Sequence, residues 1–342
     1  MSCLKPKTRR ASRREALVLI ACSAVASLGL ALLPCCASGG KPVPLIGVLM
    51  VSDSRSRTLE GLTDALARGG FVAGATVNYA VSNAEGDVSK LPALARRLAA
   101  MKPSVLCPLG GAEAEACYAA VRGTGIPIVY AGVTSPVELG LAASLLEPLP
   151  GITGVRTGAV EMTGKRLQIT RLFFPEAKTV TVVFDPSSVP CTECAAMARE
   201  VAPRLGLVAR LVPVRDAGEV AEFAGRLAAE GHEVLLGAPC PLILDTRKDV
   251  LIPAATRAGV AFFGFDWEAV RDGALLAYGP GTRSAGETAA RLVVRVLEGA
   301  RAESLPVELA REIGLAVNLR QAQAMGIALP AKLLAMADMV VR

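Results

Sequence analysis

The 342-residue chain carries 37 Lys and Arg against 31 Asp and Glu, but six of those basic residues and one of the acidic ones fall in the first 37 positions. The remainder holds 31 against 30, a net charge of +1, with no Lys/Arg run interleaved with aromatics, which excludes nucleic acid as a partner. Its length suits two domains of ordinary size, and no second apolar run is long enough to cross a membrane.

The chain opens with Lys5, Lys7, Arg9, Arg10, Arg13 and Arg14 ahead of a nearly unbroken apolar run from Ala16 to Leu33. That order is the n-region and h-region of an export signal, assigned to residues 1–37. Ser12-Arg13-Arg14-Glu15-Ala16-Leu17 is similar to a twin-arginine signal, with Ala16 in place of a bulky apolar residue, so Tat and Sec routes both stay open. Cys35-Cys36-Ala37 allows cleavage near Ala37 or lipid attachment at Cys35 or Cys36, although Pro34 departs from a lipobox. An uncleaved anchor is the third reading. Each places the body in the periplasm or elsewhere outside the cytoplasm.

Behind this leader, short apolar runs alternate with Gly/Pro/Ser/Thr turns and Ala/Leu/Arg-rich helical stretches, the βαβ alternation of parallel-sheet proteins. Strands are expected at 45–51, 76–81, 104–107 and 126–131, then at 179–184, 208–214, 234–237 and 260–265. Leu59, Leu62 and Leu66 share one helical face, as do Leu91, Leu94, Leu98 and Met101, and both stripes are read as core. Residues 150–155, 275–279 and 307–317 read as three crossings between two groups of four strands. The expected fold is α/β and two-lobed, each lobe a mainly parallel sheet flanked by helices. Lobe 1 takes residues 44–152 with 280–306, and lobe 2 takes 153–279 with 307–342.

From about Pro44 to the end, the sequence resembles the ABC transporter substrate-binding protein family that includes the tryptophan-binding TrpX type. The likeness rests on Ile46-Gly47-Val48-Leu49, Gly125-Ile126-Pro127-Ile128-Val129, Ser135-Pro136-Val137-Glu138-Leu139-Gly140-Leu141, Lys165-Arg166-Leu167 and Asp185-Pro186. It continues through Glu268 to Pro280 and is strongest in Val317-Asn318-Leu319 and Ala324-Met325-Gly326-Ile327-Ala328-Leu329-Pro330. The resemblance implies a type I periplasmic-binding fold with three hinge segments. It also implies a small organic solute, amino-acid-like ligands among the candidates, bound between the lobes by hinge closure, and an ABC permease in the inner membrane as partner. The chain is expected to act as a monomer and to need no cofactor. Thr134-Ser135-Pro136-Val137 stands where members often show Gly-Asp-Pro-Val, so the solute's chemistry is left open.

In parallel sheets, ligands meet the loops that follow the strands, where helix N-termini present free N–H groups. The candidate contacts are Ser52, Asp53, Gly110, Gly111, Thr134, Ser135, Asp185, Ser187, Cys240, Asp266 and Trp267. The family carries ligand contacts in the matching loops, which implies Cys191 as well. Asp and Ser in such loops are also ordinary helix caps. No phosphate-binding loop and no His-rich zinc spacing occurs, and His232 is the sole histidine, read as a solvated loop residue; the chain is therefore expected not to be an enzyme. A ligand sensor serving a membrane receptor, or less readily an exported enzyme, are the alternatives. Cys191-Thr192-Glu193-Cys194 reads as a local disulfide in an oxidising compartment, with Cys240 a buried hydrophobe. The competing reading gathers all three sulfurs on a soft metal or thiol-reactive ligand.

Overall fold

The computed structural model describes residues 42–342, apart from the side chains of residues 332 and 333. The export signal and the lipid-attachment candidates Cys35 and Cys36 lie outside the described residues. Along the chain, β1 (Leu45–Met50), α1 (Ser56–Arg68), β2 (Asn78–Asn83), α2 (Leu91–Ala100), β3 (Val105–Pro108), α3 (Gly111–Val121) and β4 (Ile128–Val133) come first. A small hairpin of β5 (Ala142–Ser144) and β6 (Glu147–Pro148) then leads into β7 (Ile152–Arg156). The second half runs α4 (Thr163–Phe173), β8 (Thr179–Phe184), α5 (Val189–Val201), β9 (Val208–Pro213), α6 (Ala217–Arg226) and β10 (Val234–Gly237). It continues with α7 (Pro241–Thr246), α8 (Ile252–Arg257), β11 (Ala261–Gly264), α9 (Trp267–Arg271) and β12 (Leu276–Pro280). The chain ends with α10 (Thr282–Leu297), β13 (Glu308–Leu309), β14 (Ile313–Asn318), α11 (Leu319–Ala324), α12 (Ala331–Leu334) and β15 (Met339–Val341).

These strands form two large sheets. The first has the order β13-β7-β4-β3-β1-β2 with every neighbour parallel. The second has the order β15-β14-β12-β11-β10-β8-β9, antiparallel only where β12 meets β14. Helices cover both faces of the first sheet, which is why its inner strands read as continuous apolar runs. The two-residue period of a strand sorts them: Val105 and Cys107 join Leu62, Leu66, Leu292 and Val293 on one face, while Leu106 joins Leu91, Leu98 and Cys117 on the other.

All eight expected strands are present, and each of the three segments read as a crossing contains a strand that joins one of the sheets. β7 and β13 extend the first sheet, and β12, β14 and β15 extend the second, giving six and seven strands where two groups of four joined by three crossings were expected. The chain leaves the first sheet after Arg156 and again after Leu309. β2 starts at Asn78, and as an edge strand it leaves Val81 exposed. Met101 is the C-cap of α2 and lies exposed, outside the core stripe expected of it.

α1 and α10 cross backbone to backbone. A Cβ on Gly61 would overlap the carbonyl of Arg283, and one on Gly286 would overlap the Thr58 carbonyl and the Leu62 amide. The neighbours are backbone atoms of rigid helices and cannot rotate away. Gly286→Ala is expected to destabilise the protein by about 2–3 kcal/mol through overpacking, read as a lower midpoint in thermal or urea unfolding; an unchanged midpoint would mean that the helices separate freely.

Candidate functional site

In the first sheet the chain moves from β1 outward to β2 and returns to β3 on the other side; in the second it moves from β8 to β9 and returns to β10. Such reversals open a crevice at the C-terminal ends of the strands. The two crevices face each other across a cleft of about 690 Å³, lined from both lobes. That volume falls in the range of small-molecule sites.

On the first-lobe wall stand Arg55, Thr58, Leu109, Gly111, Thr134 and Leu139. Arg55 is fixed from behind: its Nε donates to Glu113 Oε1 at 3.1 Å, and the same oxygen accepts the amide of Val51 at 3.1 Å. Glu113 is fully buried, which its ion pair makes tolerable. Gly110 owes its place to that pair, because any side chain there would collide with the Glu113 carboxylate and the Arg55 guanidinium. Gly110 is also the N-cap of α3 and supplies no side-chain bond, so the first amides of α3 remain available beside Gly111.

The second-lobe wall presents Asp185, Ser187, Cys240, Asp245, Phe265 and Asp266. Asp185 Oδ1 accepts from the Ser187 amide at 2.8 Å and its hydroxyl at 2.7 Å, which holds the loop after β8 in a tight turn. Asp266 is almost completely buried; its Oδ1 caps α9 through the Ala269 amide at 3.0 Å and accepts Arg247 Nη1 at 2.8 Å. Arg247 also donates from Nε to Asp272 at 2.8 Å. Burial works against the Arg247 charge, yet the Asp266 and Asp272 carboxylates outweigh it and hold its pKa above the ordinary value. The ring of Phe265 lies beside this guanidinium, 5.8 Å from the Arg247 carbon to the ring centre. Like α3, the helix α5 begins without a side-chain cap, at Ser188.

Of the residues singled out in the sequence, Gly111, Thr134, Asp185, Ser187, Cys240 and Asp266 line the cleft, and Ser52, Asp53, Gly110, Ser135, Cys191 and Trp267 do not. Ser52 Oγ donates to Asp245 Oδ1 of the other lobe at 2.6 Å, and Ser135 Oγ donates to Glu193 Oε2 at 2.5 Å, so both serine hydroxyls join the lobes. Asp53 accepts from Asn83 Nδ2 at 2.9 Å on the exposed rim. Trp267 turns its Nε1 to the Gly314 carbonyl at 3.0 Å. Arg55, Asp245 and Phe265 were missed in the sequence; each lies within a few residues of a loop already singled out.

The sulfur pattern differs from the local disulfide. Cys191, Cys194 and Cys240 are free buried thiols, and Cys194 accepts a hydrogen bond from Thr163 Oγ1 at 3.3 Å. Cys191 lies inside α5, where Cβ atoms three residues apart stay about 5–6 Å from each other, beyond the roughly 3.5–4.5 Å a disulfide needs. Among the described residues no group of three or more His, Cys, Asp or Glu is placed to hold a metal ion. His232 is not solvated as expected: its ring is buried, with Nδ1 2.7 Å from Thr181 Oγ1 and Nε2 3.0 Å from Glu230. It precedes β10, at the sheet edge opposite the cleft.

Comparison with known proteins agrees with this architecture. The tyrosine-binding protein of Clostridioides difficile (strain R20291) is 23% identical over 273 residues, covering 80% of this chain and 77% of that protein. The ABC domain from Streptococcus pneumonia in complex with L-Trp superposes with a TM-score of 0.79 at 21% identity, over 87% of this chain and 99% of that one. A substrate-binding protein with adhesive properties from Clostridium difficile, in its ligand-free, open structure, gives 0.66 at 23% identity, over 88% and 99%. The sequence profile described as ABC transporter substrate binding protein matches residues 45–341, so the chain belongs to that family and is the solute-binding component of an ABC transporter.

Proposed function

We propose that the cleft binds an L-α-amino acid and that the lobes close over it. Opposite charges on facing walls carry this reading. Arg55 and the uncapped start of α3 offer a carboxylate two kinds of donor, while Asp185 and Asp245 offer an ammonium its acceptors. Between these poles, Leu109, Leu139, Leu242, Leu244 and Phe265 give an apolar wall for a side chain. Tyrosine and tryptophan in the relatives' names support the class. The greater likeness to the L-Trp complex than to the open, ligand-free relative supports hinge closure.

Substrate-binding proteins of this family work outside the cytoplasm with an ABC permease, and among the described residues no helix is long and apolar enough to cross a membrane. The proposal includes a monomer without catalytic activity, held at the membrane through Cys35 or Cys36 if the leader is lipidated. The deciding experiment is calorimetric titration of the exported protein with the twenty L-amino acids. At least one should bind, its decarboxylated amine should not, and Arg55→Ala should weaken binding about 100-fold, the loss of charge-assisted bonds worth about 3 kcal/mol. Arg55→Lys, which keeps a charge beside Glu113, should recover part of the affinity. An amine binding as tightly as its parent amino acid would remove the assignment of Arg55.

A further inference from the structure

Two of the buried thiols are brought together from distant parts of the sequence. β8 and β10 are parallel neighbours with Gly237 opposite Val183, and the Ala238 amide donates to the Val183 carbonyl at 3.1 Å. The chain leaving β8 turns into α5, whose first turn carries Cys191; the chain leaving β10 reaches Cys240, the N-cap of α7. Both sulfurs are buried in the same core cluster. The two thiols lie close enough to shift each other's acidity in opposite directions, and the backbone N–H of Asp185 favours the thiolate of both. Cys240 also lines the cleft, which gives a small reagent its approach.

We propose that Cys191 and Cys240 are a redox modification site, closing to a disulfide that staples the loop at 185–190 to the start of α7 once the protein meets a small disulfide oxidant outside the cytoplasm. The chemistry favours Cys240 as the first nucleophile. Cys240 lines the cleft and Cys191 does not, and the influence of Cys191 draws the Cys240 pKa below the ordinary thiol value, whereas burial pushes Cys191 up. The Cys240 thiolate attacks one sulfur of the oxidant and expels a thiolate, forming a mixed disulfide. Cys191, losing its proton to the expelled thiolate, then attacks the Cys240 sulfur and releases the second half of the oxidant as a thiolate, which takes up the proton that Cys240 gave to solvent on ionising. The protein loses two hydrogens and the oxidant gains them.

The other thiols are poorly placed to compete. Cys194 faces Thr163 and Arg166 on α4. Cys107 and Cys117 belong to clusters on opposite faces of the first sheet.

The test incubates the full chain with oxidised glutathione, blocks the remaining thiols under denaturing conditions and maps the peptides by mass spectrometry. A Cys191–Cys240 cross-linked peptide, with Cys107, Cys117 and Cys194 alkylated, is the expected result, together with a melting midpoint raised by about 5–10 °C over the reduced protein. Cys194→Ala should leave the cross-link intact, and Cys240→Ala should abolish it. Cys240→Ser, which removes the bond-forming sulfur with little change of volume, should also abolish the cross-link and keeps the test open if Cys240→Ala does not fold. A Cys191–Cys194 peptide, or full alkylation of both Cys191 and Cys240 after oxidation, would overturn the proposal.

Discussion

Replacing Arg166 by alanine should lower the unfolding free energy by about 3–5 kcal/mol, from a cavity at a fully buried site plus buried acceptors left without donors. Arg166 is among the largest fully buried side chains. Its Nε donates to the Tyr278 carbonyl at 2.9 Å, Nη1 to Thr163 Oγ1 at 3.2 Å and Nη2 to the Ala159 carbonyl at 2.5 Å. Burial pulls its pKa below the ordinary arginine value, though a guanidinium keeps its proton at neutral pH. The three acceptors belong to the connection after β7, to α4 and to β12, so one side chain fastens the pieces of chain that pass between the sheets. Urea unfolding of the variant measures the loss. A drop of less than about 1 kcal/mol would mean that water replaces the guanidinium.

Asp266→Ala is the second variant expected to have a large effect, about 3–5 kcal/mol, because it removes the α9 cap and leaves Arg247 buried with one partner in place of two. Arg247 and Asp266 side chains are each only 3% exposed, so solvent screens their attraction little, and the remaining partner, Asp272, is more exposed at 24%. The double variant Asp266→Ala/Arg247→Met should be more stable than Asp266→Ala alone, since removing both charges leaves none uncompensated. Additive losses in the double variant would show that the pair does not act as a unit.

The sequence made the sheets legible because parallel strands buried on both faces are written as uninterrupted apolar runs, as at Leu45–Met50 and Val234–Gly237. β5, β6 and β15 carry no such mark: Ala142–Ser144 is short and partly exposed, and Met339–Val341 is an edge strand only half-buried. The cleft was legible as a set of loops and not as a set of side chains. Asp266 was read both as a cap and as a cleft residue, and it is both. Arg55 and Glu113, or Arg247 and Asp266, meet only when helices from separated parts of the chain dock, and neither partner bears a local signature. Cys191 and Cys194 misled for a related reason. The CxxC spacing suggests proximity, but a helix beginning at Val189 holds both residues on its barrel, while Cys240 arrives from an adjoining strand.

The two serine-to-carboxylate bonds between the lobes, Ser52 to Asp245 and Ser135 to Glu193, act as a clasp. Neither serine lines the cleft, and the Ser135–Glu193 half of the clasp uses no cleft residue at all, so that half contributes the same free energy whichever solute is enclosed. It strengthens the hold on every occupant alike and adds nothing to discrimination, which is a difference of affinities. Choice among solutes then rests on the cleft walls alone, and a change of wall residues can retune the cargo while the closing mechanism stays as it is.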